Sequence, residues 1–374
     1  MYALYFQRIG RKLWPPTGLL SRLTRFGGDS KGTVSVVVVL LLVTMLGMAA
    51  MAIDVGYWFS SKAECQNAAD AAALAGASKM LTWDSAFKVL GVDPSAAFAE
   101  AQTFALSNQN NGTNLNIRPN DCTMGWWDFD TRSMDPSRTY PLSASGVDPD
   151  DVTAFKVQVR RDNTLNLPIS SFFAPIFGID EVAINVSAAA YLGYAGNVAV
   201  GDVELPIAVL ADAVGDGSSG EFVPRCGSVL SFRSENTETA EWTTFFDWPT
   251  NDRTVKSYVK GDKLPPALDA TTGDVLNVIN GNLSNNTFRA LQDRFDANKD
   301  PSTGTWTTWL PVVLPGHSAT KSTLVGFVQF EISGVYTAPA KEVRGNMKCD
   351  SILPYSRGGG GNFGVRAGIP VLVD

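Results

Sequence analysis

The sequence predicts an α+β fold: a single N-terminal transmembrane helix continuing into a long helix on a small sheet, then a β-rich C-terminal domain. Three observations carry this reading. Residues 33–53, TVSVVVVLLLVTMLGMAAMAI, contain no charge and no proline. Residues 54–80 also lack proline and are rich in alanine, the strongest helix former. Further on, short segments alternate between apolar and polar residues and are bounded by Gly, Pro, Asn and Asp, as strands and their turns are. The expected organisation is a basic tail over 1–32, a transmembrane helix over 33–53, a helix-plus-sheet domain over 54–195 and a β-rich domain over 196–374.

The span comes first. A helix of its length covers roughly 31 Å at 1.5 Å per residue, about the thickness of a bilayer's hydrocarbon core. It is apolar all round, whereas a core helix of a soluble protein is usually amphipathic. Its apolar region is longer than that of a secretory signal, although GMAAMA imitates a small-residue cleavage site and leaves N-terminal processing open. Charge sets the orientation. Arg8, Arg11, Lys12, Arg22, Arg25 and Lys31 face only Asp29 before the span, a net of +5, so the remainder holds −12 of the chain's net −7. The basic side is expected in the cytoplasm, with some 320 residues outside. An acidic body with no basic stripe among its aromatics argues against nucleic acid as a partner.

The helix after the span poses a question of its own. Asp54 caps the apolar run, and from Gln66 to Ala77 the only bulky apolar side chain is Leu74. Such a face lets another backbone approach closely. Two readings follow. The face packs beneath the chain's own sheet, or it forms a helix docking face for another subunit, centred on Ala69, Ala72, Ala73 and Gly76.

The body is read more coarsely. A turn at Gly91 and Pro94 precedes an amphipathic helix over about 95–107, and NQNNGTN is a loop. LNIRP, TMGWWDFD, TAFKVQVRRD and VAINVSAAAYLG alternate as strands. After residue 196 LPIAVLAD, SVLSFRS, DVLNVING, TWLPVVL, LVGFVQFEISGVYT and GIPVLVD suggest strands, with one helix near SNNTFRALQDRFDAN and a glycine loop at RGGGGN. Trp126 and Trp127 are adjacent in a strand, so they face opposite sides and one is partly exposed.

Chemistry is scarce. His317 is the only histidine and has no partner histidine for a metal. No G-x-S-x-G elbow occurs, and DANKDPSTGTWT has Pro301 where a calcium loop needs glycine. No catalytic residue, cofactor or metal is assigned, and an enzyme is not expected. The four cysteines have no metal spacing. In an oxidising compartment they permit three pairings. Cys226 with Cys349, closing the second domain, is the pairing preferred here, and Cys65 with Cys122 a weaker guess.

DVGYWFSSKAECQNAADAAALAGA, behind a single span entered by GDSKGTVSV, resembles the N-terminal region of TadG-like Flp pilus-assembly proteins. CTMGWWDFDTRSMDP, AFKVQVRRD and LPISSFFAPIFGIDEVAINVSAAAYLG are similar to the Tad-like segment that follows, with its Phe-Phe-x-x-x-Phe-Gly turn. Together these cover residues 27–195. Two features depart from related patterns. The glutamate of a prepilin-peptidase site is absent after Gly28 and Gly32, and the DGSSG at 216–220 lacks the last serine of a von Willebrand A metal motif. The resemblance implies a single-pass component of the bacterial inner membrane, with its N-terminus in the cytoplasm and its body in the periplasm. Its implied partners are other Tad/Flp pilus-assembly proteins or pseudopilins. The alternative is a membrane-tethered surface module that binds glycan or protein.

Overall fold

A computed structural model of the chain describes residues 30–373 apart from 85–88, 218–221, 235–238, 280 and 319. Most of the basic tail, residues 1–29, lies outside the described residues, as do the last three residues of DGSSG and the His317 side chain. Among the described residues, those up to Ser60 with Ser170–Val182 form one compact unit, and those of 61–169 and 183–373 form another. The fold is mixed α+β, as its sequence indicates.

In the first unit the chain is the leading part of one 50-residue helix, α1 (Ser30–Lys79). With no proline and no side chain crowding Gly47 or Gly56, nothing interrupts its hydrogen-bond ladder. The segment Val34–Lys79 is long enough to cross a membrane, and its most apolar window has no buried residue. The hydroxyl of Thr44 donates to the Leu40 carbonyl at 2.8 Å, which satisfies the one polar side chain in the middle of the apolar run. Residues 170–182 are a loop built round a 3₁₀ turn, Ala174–Phe177, which ends at Gly178 with φ +79°. That left-handed conformation favours glycine.

In the second unit α1 leads into a hairpin, β1 (Leu81–Asp84) and β2 (Val89–Val92), where the sequence suggested only a turn. Next is α2 (Pro94–Ser107), whose first turn is capped by the Asp93 carboxylate accepting from the Ala96 amide at 2.9 Å. Ala97, Ala101 and Ala105, four residues apart, form its buried stripe. The first sheet contains β3 (Cys122–Asp128), β4 (Ser133–Pro141), β5 (Ala154–Arg161) and β6 (Ile184–Tyr191). The spatial order is β6-β5-β3-β4, and the last strand of the chain, Val371–Leu372, pairs antiparallel with the outer side of β6. The LNIRP segment is a correction. Leu115 and Ile117 are buried as alternation suggests, but no strand forms there. Asn166 replaces a strand partner, accepting from the Asn116 amide and donating to its carbonyl, both at 2.9 Å.

The second sheet is larger. Its strands are β7 (Ile207–Leu210), β8 (Val229–Arg233), β9 (Ala240–Phe245), β10 (Val275–Val278), β11 (Trp306–Ser318), β12 (Lys321–Tyr336) and β13 (Glu342–Lys348). The pairings β12-β10-β9-β7-β11 return to β12 and close a ring, and β13 and β8 extend from β12. A closed ring leaves no exposed edges along those strands. A helix over Asn285–Asn298, α3 here, is capped by Ser284 and buries Phe288, Leu291 and Phe295 in the ring's core, where Phe288 meets Trp242 edge-on at 5.7 Å. Each such fully buried apolar side chain contributes on the order of 1.5–3 kcal/mol.

Candidate functional site

The chain's most specific polar arrangement lies where α1 leaves its apolar run. Asp54 is fully buried. One carboxylate oxygen accepts the Phe172 amide at 2.9 Å, and the other accepts the amides of Phe173 at 2.8 Å and Ala174 at 2.5 Å. Those three amides are at the start of the 3₁₀ turn, where a helical turn leaves donors without partners. A carboxylate suits them because it only accepts and has several lone pairs. The Phe172 ring meets Tyr57, one turn along α1, at 5.0 Å between centroids. The sequence marks Asp54 as a cap and the Phe-Phe-x-x-x-Phe-Gly segment as a turn, but nothing local joins positions 118 residues apart.

Further along the helix, Ser61, Cys65, Ala68, Ala69, Ala72, Ala73 and Gly76 are buried. Their spacing of three and four residues defines one helix face. It packs on the first sheet. A Cβ built on Gly76 would lie 2.3 Å from the Phe155 ring of β5, and the Gln66 amide donates to the Ser187 carbonyl of β6 at 3.1 Å. Ala69, Ala72 and Ala73 are buried within the chain, and Gly76 faces Phe155. Polar contacts hold the start of this face. Buried Asn110 donates to the Ser61 carbonyl at 3.1 Å and to Glu64 at 2.7 Å, and its side-chain oxygen accepts from Arg161.

Cys226 and Cys349 are disulfide-bonded, with Cα atoms 5.5 Å apart. The register of the sheet explains their meeting. Val229 of β8 lies opposite Asn346 of β13 in an antiparallel pair, so residues three positions before the one and after the other converge. Cys65 and Cys122 remain free and buried, so the weaker Cys65–Cys122 pairing does not form. Burial pushes the Cys65 thiol up to about 11, with Arg161 opposing and Glu64 adding to the shift. Burial, assisted by Asp121, pushes Cys122 up to about 12. Trp127 is buried while Trp126 is half-buried beneath Arg138, whose guanidinium lies 4.3 Å from the ring centre. Trp242 and Trp306 are core, and Trp248 is exposed. Among the described residues no group of three His, Cys, Asp or Glu side chains is placed to hold a metal ion.

The comparisons speak for α1. Residues 32–79 match the Tad family model, described as "Putative Flp pilus-assembly TadE/G-like". The match covers 48 of 374 residues, the apolar run, Asp54 and the alanine face together. The N-terminal segment is therefore of the Tad type, in agreement with the TadG-like resemblance. The chain matches no curated protein and no solved structure.

Proposed function

We propose that this chain, with a Flp pilus-assembly TadE/G-like segment on its apolar helix, is a membrane-anchored structural or assembly component of the Flp (Tad) pilus machinery. It acts without catalysis, as a single-pass protein of the bacterial inner membrane whose N-terminus is cytoplasmic and whose bulk is periplasmic. Its partners are other Tad/Flp pilus-assembly proteins or pseudopilins. The observation that supports this best is where the matched segment lies. It includes the run able to cross a membrane and the helix on which the first sheet is built. The basic residues before the span support the orientation.

Deleting the gene tests the reading. We expect surface pili to disappear by electron microscopy and to return when the full chain is supplied from a plasmid. Normal piliation of the deletion strain sinks the proposal.

A further inference from the structure

The loop held by Asp54 is unusual in what it exposes. Residues 172–179, FFAPIFGI, carry no charge, yet Phe172, Ile176 and Phe177 are 63%, 81% and 59% exposed. Soluble surfaces rarely present apolar side chains this densely. These side chains lie alongside the apolar run. Gly47, Ala50 and Met51 of α1 line one side of a groove of about 840 Å³, and Phe173, Ile176 and Phe177 line the other. The groove follows α1 from residue 53 back to residue 43, a rise of roughly 15 Å at 1.5 Å per residue.

Three facts say what fills it. First, the groove is continuous with the run able to cross a membrane, whose side chains are themselves exposed. Second, Tyr57, Trp58 and Phe59 follow Asp54 within about a turn, and Trp and Tyr favour the headgroup level of a bilayer. With that belt at the surface, residues 43–53 lie in hydrocarbon, and so do the loop side chains beside them. Third, the loop's backbone is fit for such a place. Non-helical backbone is tolerated at membrane depth only where it is buried in protein or lines a water-filled cavity, so its polar groups must be turned to the protein while its side chains face lipid. Here seven amides between residues 171 and 179 are paired within the protein: that of Ser171 donates to the Asp180 carbonyl, those of residues 172–174 to Asp54, and those of Ile176, Gly178 and Ile179 to carbonyls within the loop.

We infer that residues 172–179 form a second membrane-contact element, a wedge whose Phe173, Ile176 and Phe177 side chains sit among lipid acyl chains beside α1, with Asp54 accepting the amides of residues 172–174. This rests on α1 crossing a membrane, and the test separates the two claims. The full chain carrying Ile176→Cys is labelled with an environment-sensitive NBD dye and reconstituted into phosphatidylcholine–phosphatidylglycerol vesicles. Cys65 and Cys122 are buried and the other two cysteines are bonded, so the label is selective. Leu264→Cys, at a position 69% exposed in the other unit, is the aqueous reference. Flotation of the protein with vesicles in alkaline carbonate reports the span alone.

In floating protein, lipids with doxyl groups on the acyl chain should quench the Ile176 label several-fold more than the Leu264 label, and aqueous iodide should do the reverse. Asp54→Ala should release the loop and lower the doxyl quenching without preventing flotation. Iodide access at Ile176 equal to that at Leu264 overturns the wedge while leaving the anchor intact. Shielding from both quenchers also overturns it and points to a protein, such as a second copy, in the groove. Failure to float overturns the anchor instead.

Discussion

At Gly76 two effects of a single methyl group oppose one another. Alanine is a better helix former than glycine by about 1 kcal/mol. The added Cβ, however, would fall 2.3 Å from the Phe155 ring, which is fully buried. Overpacking of this kind costs about 1–3 kcal/mol. We expect Gly76→Ala to lower the thermal midpoint of the full chain in detergent. An unchanged or raised midpoint would show that the helix and β5 are further apart than described. The two buried thiols make a second prediction at this scale. Their pKa values lie above the ordinary 9.0, so the folded state keeps protons that the unfolded chain releases. Their stabilising contribution is full below pH 9 and is lost as pH rises through about 11 and 12. Replacing Cys65 and Cys122 by alanine should flatten the alkaline part of the stability profile, measured by thermal melts against pH. An identical alkaline decline in the double variant would rule this out.

Among the elements, the β8–β13 pair is held at one end by the Cys226–Cys349 bond, which spans 123 residues of sequence. Closing a loop of this size removes much of the unfolded chain's freedom, and losing such a bond costs roughly 2–5 kcal/mol. Cys226→Ser with Cys349→Ser should therefore melt at a lower temperature than the parent, and reduction of the parent should reproduce the loss. Peptide mapping under non-reducing conditions that recovers both residues as free thiols would remove the premise. Elements also show where local patterning suffices. The α2 and α3 helices lie where apolar spacing and their caps put them, Asp93 for the first and Ser284 for the second. LNIRP fails because alternation reports which side chains are buried and not which backbone groups pair. Leu115 and Ile117 face the core while Asn166 takes the backbone bonds.

For the whole molecule, the distribution of charge about the span makes a prediction on topology. A reporter active only in the periplasm, fused after the last residue, should be active, and a cytoplasm-only reporter at the same place silent. The opposite pattern would invert the proposed orientation. What sequence alone determined here is what depends on neighbours in the chain: the span, from 21 uncharged residues, the direction of the charge, the alanine face, from its spacing, and the presence of strands. Tertiary structure decided what depends on residues far apart. It set the Phe155 ring of β5 against Gly76, a neighbour the sequence left open because a small-residue face admits any closely approaching backbone. It returned Val371–Leu372 to the edge of β6, and it brought the amides of residues 172–174 to Asp54. Side-chain periodicity records burial along one element. Which distant backbone supplies the partner is set by the packing of the whole chain, and no local pattern contains it.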